Sequence, residues 1–203
     1  MLNSFNTNVF INCPIDEEYK PLLRALLFTI YRCGYIPRIA TERSDSGESR
    51  LEKIKELILN SQHSIHDLSR IKCQERDEYY RLNMSFEIGL DFGCRFFHCK
   101  DKKALILEEE KYSIQKALSD LIGGDPKCHY GDPKKLVIEV RSWFIEIGTE
   151  DIDGGSKIWD DFNVFYADLY KKKLGEGFKK KEFENLPIPE FNRHIKEWIE
   201  SDD

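Results

Sequence analysis

No stretch of this chain approaches the ~18 consecutive apolar residues that a membrane-spanning helix needs, so a helical membrane protein is excluded at the outset. The opening MLNSFNTNVFINCP lacks both a basic n-region and a long apolar segment, and no secretory signal is expected from it. Excess positive charge is missing too: 31 Lys and Arg stand against 37 Asp and Glu, a formal charge of −6. That balance argues against a protein whose main task is gripping nucleic acid through its phosphates. The cysteines (Cys13, Cys33, Cys73, Cys94, Cys99, Cys128) have scattered spacings and no framework pattern. A chain this long builds its own core without disulfide staples, so we read them as reduced thiols of a cytoplasmic protein. Internal repeats and low-complexity tracts are absent. Gly123-Gly124 and Gly175-Glu176-Gly177 do not have the G-x-G-x-x-G spacing of a dinucleotide fingerprint.

Core material, by contrast, is plentiful. Thirteen Phe, nine Tyr and three Trp in 203 residues exclude a disordered chain, and the length suits one domain with a C-terminal annex. Strand-like and helix-like segments alternate. Asn8 to Cys13 is a short apolar run stopped by Pro14, and reads as a buried strand. Glu18 to Cys33 carries Leu22, Leu23, Leu26, Leu27 and Ile30 at helical spacing, with Gly34 as the stop. Tyr35 to Thr41 is a second strand, placed near a sheet edge by Pro37. Leu51 to Ile58 is a helix, Ser64 to Leu68 a strand, Met84 to Phe97 a helix, Lys103 to Leu107 a strand, and Tyr112 to Leu121 a helix. A short strand around Cys128 to Tyr130 and a helix over Pro133 to Ile147, with proline in its first turn, complete the series.

This order predicts an α/β fold: a flavodoxin-like, doubly wound parallel sheet of about five strands with helices on both faces. The domain spans 1–148. The remainder, 149–203, reads as a helical extension, with a linker near Asp151 to Gly155, a helix over Ile158 to Lys173, and a last short helix ending near Trp198.

In an open parallel sheet, ligands bind outside the carboxyl ends of the strands. Polar residues there are Asn12, Pro14 and Asp16 after the first strand, and Glu42, Ser44, Asp45, Ser46 and Arg50 after the second. Asp67 and Ser69 end the third, and Asn83 to Gly89 open the helix behind it. Glu87 stands out. Near a helix start, where Asn83 or Ser85 could cap, a carboxylate meets the positive end of the helix dipole and is favoured in its ionised form. Such a group can attack or electrostatically support a carbon becoming cationic. A glutamate in a first turn also serves as a plain cap, and both readings stand at this point.

The residues Ser64-Ile65-His66-Asp67-Leu68-Ser69, followed by Asn83-Met84-Ser85-Phe86-Glu87-Ile88-Gly89, resemble a signature shared by two related families. One is the nucleoside 2-deoxyribosyltransferases, with the pattern D-x-(S/T) and then (Y/M/F)-E-(L/I)-G-x-A. The other is the TIR domain, bacterial TIR-like proteins included. Val9 to Asp16 is similar to the first-strand motif of both. The Trp-Cys pair of eukaryotic TIR domains is replaced by Met84-Ser85-Phe86.

The resemblance implies cleavage of an N-glycosidic bond between ribose and base. Glu87 would form a glycosyl intermediate or stabilise the oxocarbenium-like carbon by charge. Asp16 and Asp67 would orient ribose hydroxyls or the leaving group. Ser46 and Arg50 would meet phosphate or hold the second loop, Arg50 serving equally well as partner of a surface carboxylate. Asn12, Pro14, Ser69 and Asn83 complete the expected substrate contacts. NAD is the favoured substrate, with no further cofactor, because the first-strand and strand-end motifs lean toward the TIR form. Nicotinamide is a good leaving group, its positive charge neutralised on departure, and ADP-ribose or a cyclic ADP-ribose would be the product. The same analogy implies a homo-oligomer, room for a partner effector protein, and a setting in bacterial antiviral defence. A deoxynucleoside or deoxynucleotide base transferase is the alternative enzyme, and a non-catalytic nucleotide-sensing module the alternative class.

Other signals read as structural. Cys94, His98 and Cys99 are too few ligands for a structural zinc site, so no metal is expected. His66 and Cys13 read as packed residues. Lys171 to Lys181 reads as a solvated face with acidic neighbours. Trp159, Phe162, Phe165, Tyr166 and Tyr170 are too apolar for a free tail and are expected to pack on the sandwich or between subunits.

Overall fold

The computed structural model describes residues 4–70, 82–98, 101–118 and 125–202. Five strands, β1 (Asn8–Asn12), β2 (Ile36–Ile39), β3 (His63–Asp67), β4 (Lys103–Glu108) and β5 (Lys127–Cys128), pair in parallel in the order β2-β1-β3-β4-β5. Helices α1 (Lys20–Arg32), α2 (Arg50–Leu59), α3 (Leu82–Phe97), α4 (Ser113–Ala117) and α5 (Pro133–Glu146) alternate with them, and α6 (Gly155–Gly175), α7 (Lys180–Glu184) and α8 (Ile188–Asp202) follow. This is a doubly wound α/β fold with C-terminal helices, as the alternation of patterns predicted. Among the described residues, no helix is long and apolar enough to cross a membrane.

Local chemistry explains the boundaries. Gly34 adopts φ +83°, a conformation that spares the glycine backbone the strain other residues would carry, and its N–H bonds the Tyr31 carbonyl to end α1. Pro37, without an amide hydrogen to donate, sits in β2, whose one neighbour among the described residues is β1. Asp132 caps α5 by accepting from the Lys134 and Lys135 amides, with Pro133 in the first turn. Several segments differ from expectation. Ala40 and Thr41, expected to end the second strand, belong to a 3-10 turn over Ala40–Glu42, and α7 lies where no helix was expected. The last helix runs to Asp202 rather than ending near Trp198, and α6 begins at Gly155, inside the expected linker. Ser119 to Leu121, the end of the expected fourth helix, with Gly123-Gly124, Cys73 and Cys99, lie outside the described residues.

Strand alternation divides the core. Val9, Ile11, Ile65, Leu105 and Leu107 face α1 and α5, whereas Phe10 meets Ile54, Leu57 and Ile58 of α2 and Cys94 of α3. The extension forms a third layer outside α1. Phe162, Phe165, Leu169, Phe183, Phe191 and Ile195 join the same cluster as the α1 core, with Trp159, Tyr166 and Tyr170 packed against it. The lysine-rich stretch has its acidic neighbours in place: Lys173 is buried between Glu176 and Glu190 at 2.8 and 2.7 Å, and Lys180 pairs with Glu184.

Phe28 of α1 is fully buried, its ring centroid 5.3 Å from Phe165, 5.6 Å from Phe162 and 5.7 Å from Trp198. Phe28→Ala is expected to cost about 3–5 kcal/mol. Urea denaturation followed by tryptophan fluorescence and by circular dichroism checks it. Both probes should shift together, because extension and sheet share this ring.

Candidate functional site

The strand order reverses between β1 and β3, since the chain leaves β1 for β2 on one side and returns to β3 on the other. In this topology the crevice outside the carboxyl ends of β1 and β3 is the natural ligand position. Asn12 ends β1 and pairs in register with His66 of β3. Its side-chain nitrogen donates to His66 Nδ1 at 3.2 Å and to the Met84 carbonyl at 2.9 Å, tying β1 to the first turn of α3. With Nδ1 accepting, His66 carries its proton on Nε2 and donates it to Asp91 Oδ2 at 3.1 Å. Ser64 donates to the same oxygen at 2.6 Å, and Lys102 Nζ lies 3.1 Å from Oδ1. Lys102 also donates to the Ile58 and Ser61 carbonyls. Burial would raise the Asp91 carboxyl, but the hydrogen bond and electrostatic influence of His66, the charge of Lys102 and the bond from Ser64 bring it down to about 2.

Glu87 lies one helical turn before Asp91, on the same buried face of α3. Its partner among the described residues is Arg50 at the start of α2, Nη2 to Oε1 at 3.4 Å, and that guanidinium is more than half exposed. Here the sequence expectation needs correcting. Glu87 sits in the second turn of α3 rather than at its front, where the dipole has faded. Its carboxyl is raised from the ordinary value of 4.5, chiefly by burial, with Arg50 offsetting part of the effect. The thiol of Cys13, buried as expected, is pushed well up by burial and by Asp67, Glu87 and Asp16, so it stays protonated.

Asp67 and Glu87 both act on the Cys13 thiol, but they are held by different partners. Neighbouring residues on a strand point to opposite faces, so His66 turns toward α3 and Asp67 toward α1. There Asp67 is fully buried and saturated. It accepts from Tyr19 Oη at 2.5 Å, from the Ser69 amide at 3.0 Å and from the Ser69 hydroxyl, and lies 3.0 Å from His129 Nε2. Burial alone would raise its carboxyl; the bonds from His129, Ser69 and Tyr19 hold it below the ordinary carboxylate range. Ser69, His129 and Asp67 are no nucleophilic triad. Serine and aspartate both meet Nε2, while Nδ1 accepts from the Gly131 amide.

Asp16 acts on the same Cys13 thiol, and the other expected contacts differ in exposure. Asp16 accepts from the Tyr19 amide at 2.9 Å and lies 3.5 Å from Arg70 Nε. Pro14 is buried, Ser46 is exposed in the β2–α2 loop, and Asn83 is exposed on the outer side of α3. Among the predicted residues, then, Asn12, Arg50 and Glu87 form one group, and Asp67 and Ser69 another. Tyr19, Asp91, Lys102 and His129 were missed. Asp91 had a readable signal, its four-residue spacing from Glu87. Among the described residues, no cluster of three or more His, Cys, Asp or Glu is arranged to hold a metal ion. No family model, curated protein or solved structure matches the chain.

The Asp91 carboxyl at about 2, against an ordinary 3.8, stabilises the fold above the ordinary value, and that contribution is lost as pH falls through about 2. Asp91→Asn should flatten this acid limb in melting-temperature profiles. It should also cost about 3 kcal/mol at neutral pH, since Lys102 is left buried without its counter-charge.

Proposed function

We propose that this protein is an N-glycosidase that cleaves the ribose–base bond of a nucleotide, with NAD as substrate and Glu87 as the catalytic carboxylate. The observation that carries the reading is the state of Glu87. It is a buried acid at the β1/β3 switch point whose partner among the described residues is one long contact to an exposed arginine. Saturated carboxylates such as Asp67 serve architecture; a carboxylate loosely held at the ligand edge is free to meet an incoming cation. The bond cleaved develops positive charge on the anomeric carbon, and an anion held in a poorly solvated place stabilises that charge strongly. Arg50 would swing from Glu87 toward a phosphate of the substrate, and its exposure leaves room for that motion. The resemblance of Val9 to Asp16 and of Met84 to Gly89 to TIR and deoxyribosyltransferase motifs supports the same chemistry. A cytoplasmic setting belongs to the reading on the scattered cysteine spacings of the sequence. Self-assembly and a defence role belong to the reading by analogy alone.

Purified protein incubated with NAD, deoxynucleosides and deoxynucleoside monophosphates, with products separated by chromatography, tests the proposal. Nicotinamide release is expected; free purine or pyrimidine would move the reading to the deoxynucleoside chemistry. Glu87→Gln should lower turnover by about 10³-fold while leaving the melting temperature near wild type. A fully active variant removes Glu87 from the mechanism. Because the ionised form does the work, the acid limb of kcat/KM should lie above 4.5, the ordinary value. Arg50→Ala should move that limb to still higher pH, because the charge that favours ionised Glu87 is gone.

A further inference from the structure

The outer face of α3 carries no charge. The charged residues of this helix are Glu87 and Asp91, both buried, and Arg95, which its spacing puts off this face. Helical spacing gathers Leu82, Phe86, Gly89, Gly93, Phe96 and Phe97 into one stripe on the side away from the sheet. Its side chains stand in water: Leu82 is 69% exposed, Phe86 55%, Phe96 66% and Phe97 85%. From the usual size of such side chains, the stripe offers on the order of 500 Å² of apolar surface. A patch of that extent is at the upper end of what monomers expose.

The two glycines need a reason. A glycine in a helix interior weakens the helix, because the unfolded chain keeps more freedom there than with alanine. Neither Gly89 nor Gly93 has the positive φ that would demand glycine. Neither is crowded. A β-carbon at Gly89 would meet nothing within 4 Å, and one at Gly93 only the Phe97 ring, at an ordinary 3.8 Å. Among the described residues, then, nothing gains from the missing side chains. A backbone arriving from outside would gain, because two small positions one turn apart let it come close.

The stripe is also symmetric along the chain. Phe86, Gly89, Gly93 and Phe96 follow one another at steps of three, four and three, so the order reads alike in both directions. An antiparallel copy of α3 sets Phe86 against Phe96 and Gly89 against Gly93, and a two-fold axis makes both halves of that contact identical. A partner of another sequence has no cause to share this spacing. An anionic membrane surface is disfavoured as well, since the stripe holds no cation and the chain has a net charge of −6.

We propose that the outer face of α3 is a self-association surface, on which a second copy of this chain packs antiparallel. The helices cross at Gly89 and Gly93, and the phenylalanines close over both ends. Two such patches bury on the order of 1,000 Å² together, the low end for a specific interface, so the dimer is reversible and depends on concentration. The proposal stands apart from the N-glycosidase reading. Glu87 is on the buried side of α3, so pairing and cleavage can succeed or fail independently.

Sedimentation equilibrium on the full chain across the micromolar range tests it. The mass should rise from that of one chain, 24.0 kDa, toward twice that value. Phe96→Glu should hold the protein at the monomer mass. Phe86→Lys combined with Phe96→Glu should restore pairing at low salt, because the antiparallel contact brings opposite charges together. Gly93→Ala should weaken association about tenfold while raising the melting temperature of the dilute protein by about 2 °C. Circular dichroism establishes that each variant is folded, and if Phe96→Glu is not, Gly93→Ala decides alone. A wild type that stays monomeric, undiminished pairing in Phe96→Glu or Gly93→Ala, or no restoration in the double variant overturns the proposal. So does a monomer that sediments with phosphatidylglycerol vesicles, which would give this face to a membrane.

Discussion

Three elements of the fold meet on one carboxylate. Asp91 of α3 receives Ser64 and His66 from β3 and the ammonium of Lys102 from the entry to β4, all in an interior that water does not reach. An acid in such a place is tolerable only when paired and hydrogen-bonded, and removing either partner leaves an uncompensated charge. The cluster therefore restricts how α3 can sit on the sheet, since a rotation or a one-residue slip would separate Asp91 from its three partners. Glu87, one turn earlier on the same face, inherits that placement. The catalytic carboxylate we propose is positioned through the commitment of its neighbour.

The same strand end shows two opposite ways of holding an acid. Asp67 and Glu87 differ little in chemistry, yet strand alternation sends Asp67, the last residue of β3, to the α1 face, whereas Glu87 lies on the inner face of α3. Asp67 finds a phenol, a serine, and an imidazole fixed by the Gly131 amide, and it is stabilised as an anion despite complete burial. Glu87 finds a single distant arginine among the described residues and stays above the ordinary carboxylate value. Networks that saturate their acids fix a shape, whereas an acid left short of partners gains most from an incoming cationic centre. On this contrast the functional assignment rests.

Much of the fold was legible because local signals agreed with each other. The alternation of patterns, Gly34 after α1, Pro37 on an edge strand and Pro133 at a helix start each point to the same doubly wound sheet, and the structure has all four. The site was harder, for reasons located in α3 and β3. Periodicity identifies the buried side of a helix only when the other side is polar. In α3 the exposed side carries Leu82, Phe86, Phe96 and Phe97 while Glu87 and Asp91 lie inside, so the pattern does not say which face is which. Strand parity sets His66, not Asp67, beside Asn12, and so gives Asp67 and Glu87 different hydrogen-bond partners. Asp91 and Lys102 are only eleven residues apart, but they lie on α3 and at the entry to β4, and they meet through the packing of α3 on the sheet, which periodicity does not encode.

The extension illustrates a further consequence of burial. From Leu22 to Ile30, nine consecutive residues of α1 are buried, which is impossible for a helix covered by a sheet on one side alone. The second cover is α6, α7 and α8, whose aromatic side chains close over Phe28 and the outer leucines. Arg24 falls within this run, so its charge cannot reach bulk water. It sits instead among the rings of Tyr166, Phe183 and Phe191, with carbonyls from the α7 end on one nitrogen. Three aromatic faces and two carbonyls stabilise a buried guanidinium without neutralising it. A helix enclosed on both sides thus holds a guanidinium among rings and carbonyls, with the charge of Glu184 acting on it, and it is the extension that encloses this arginine.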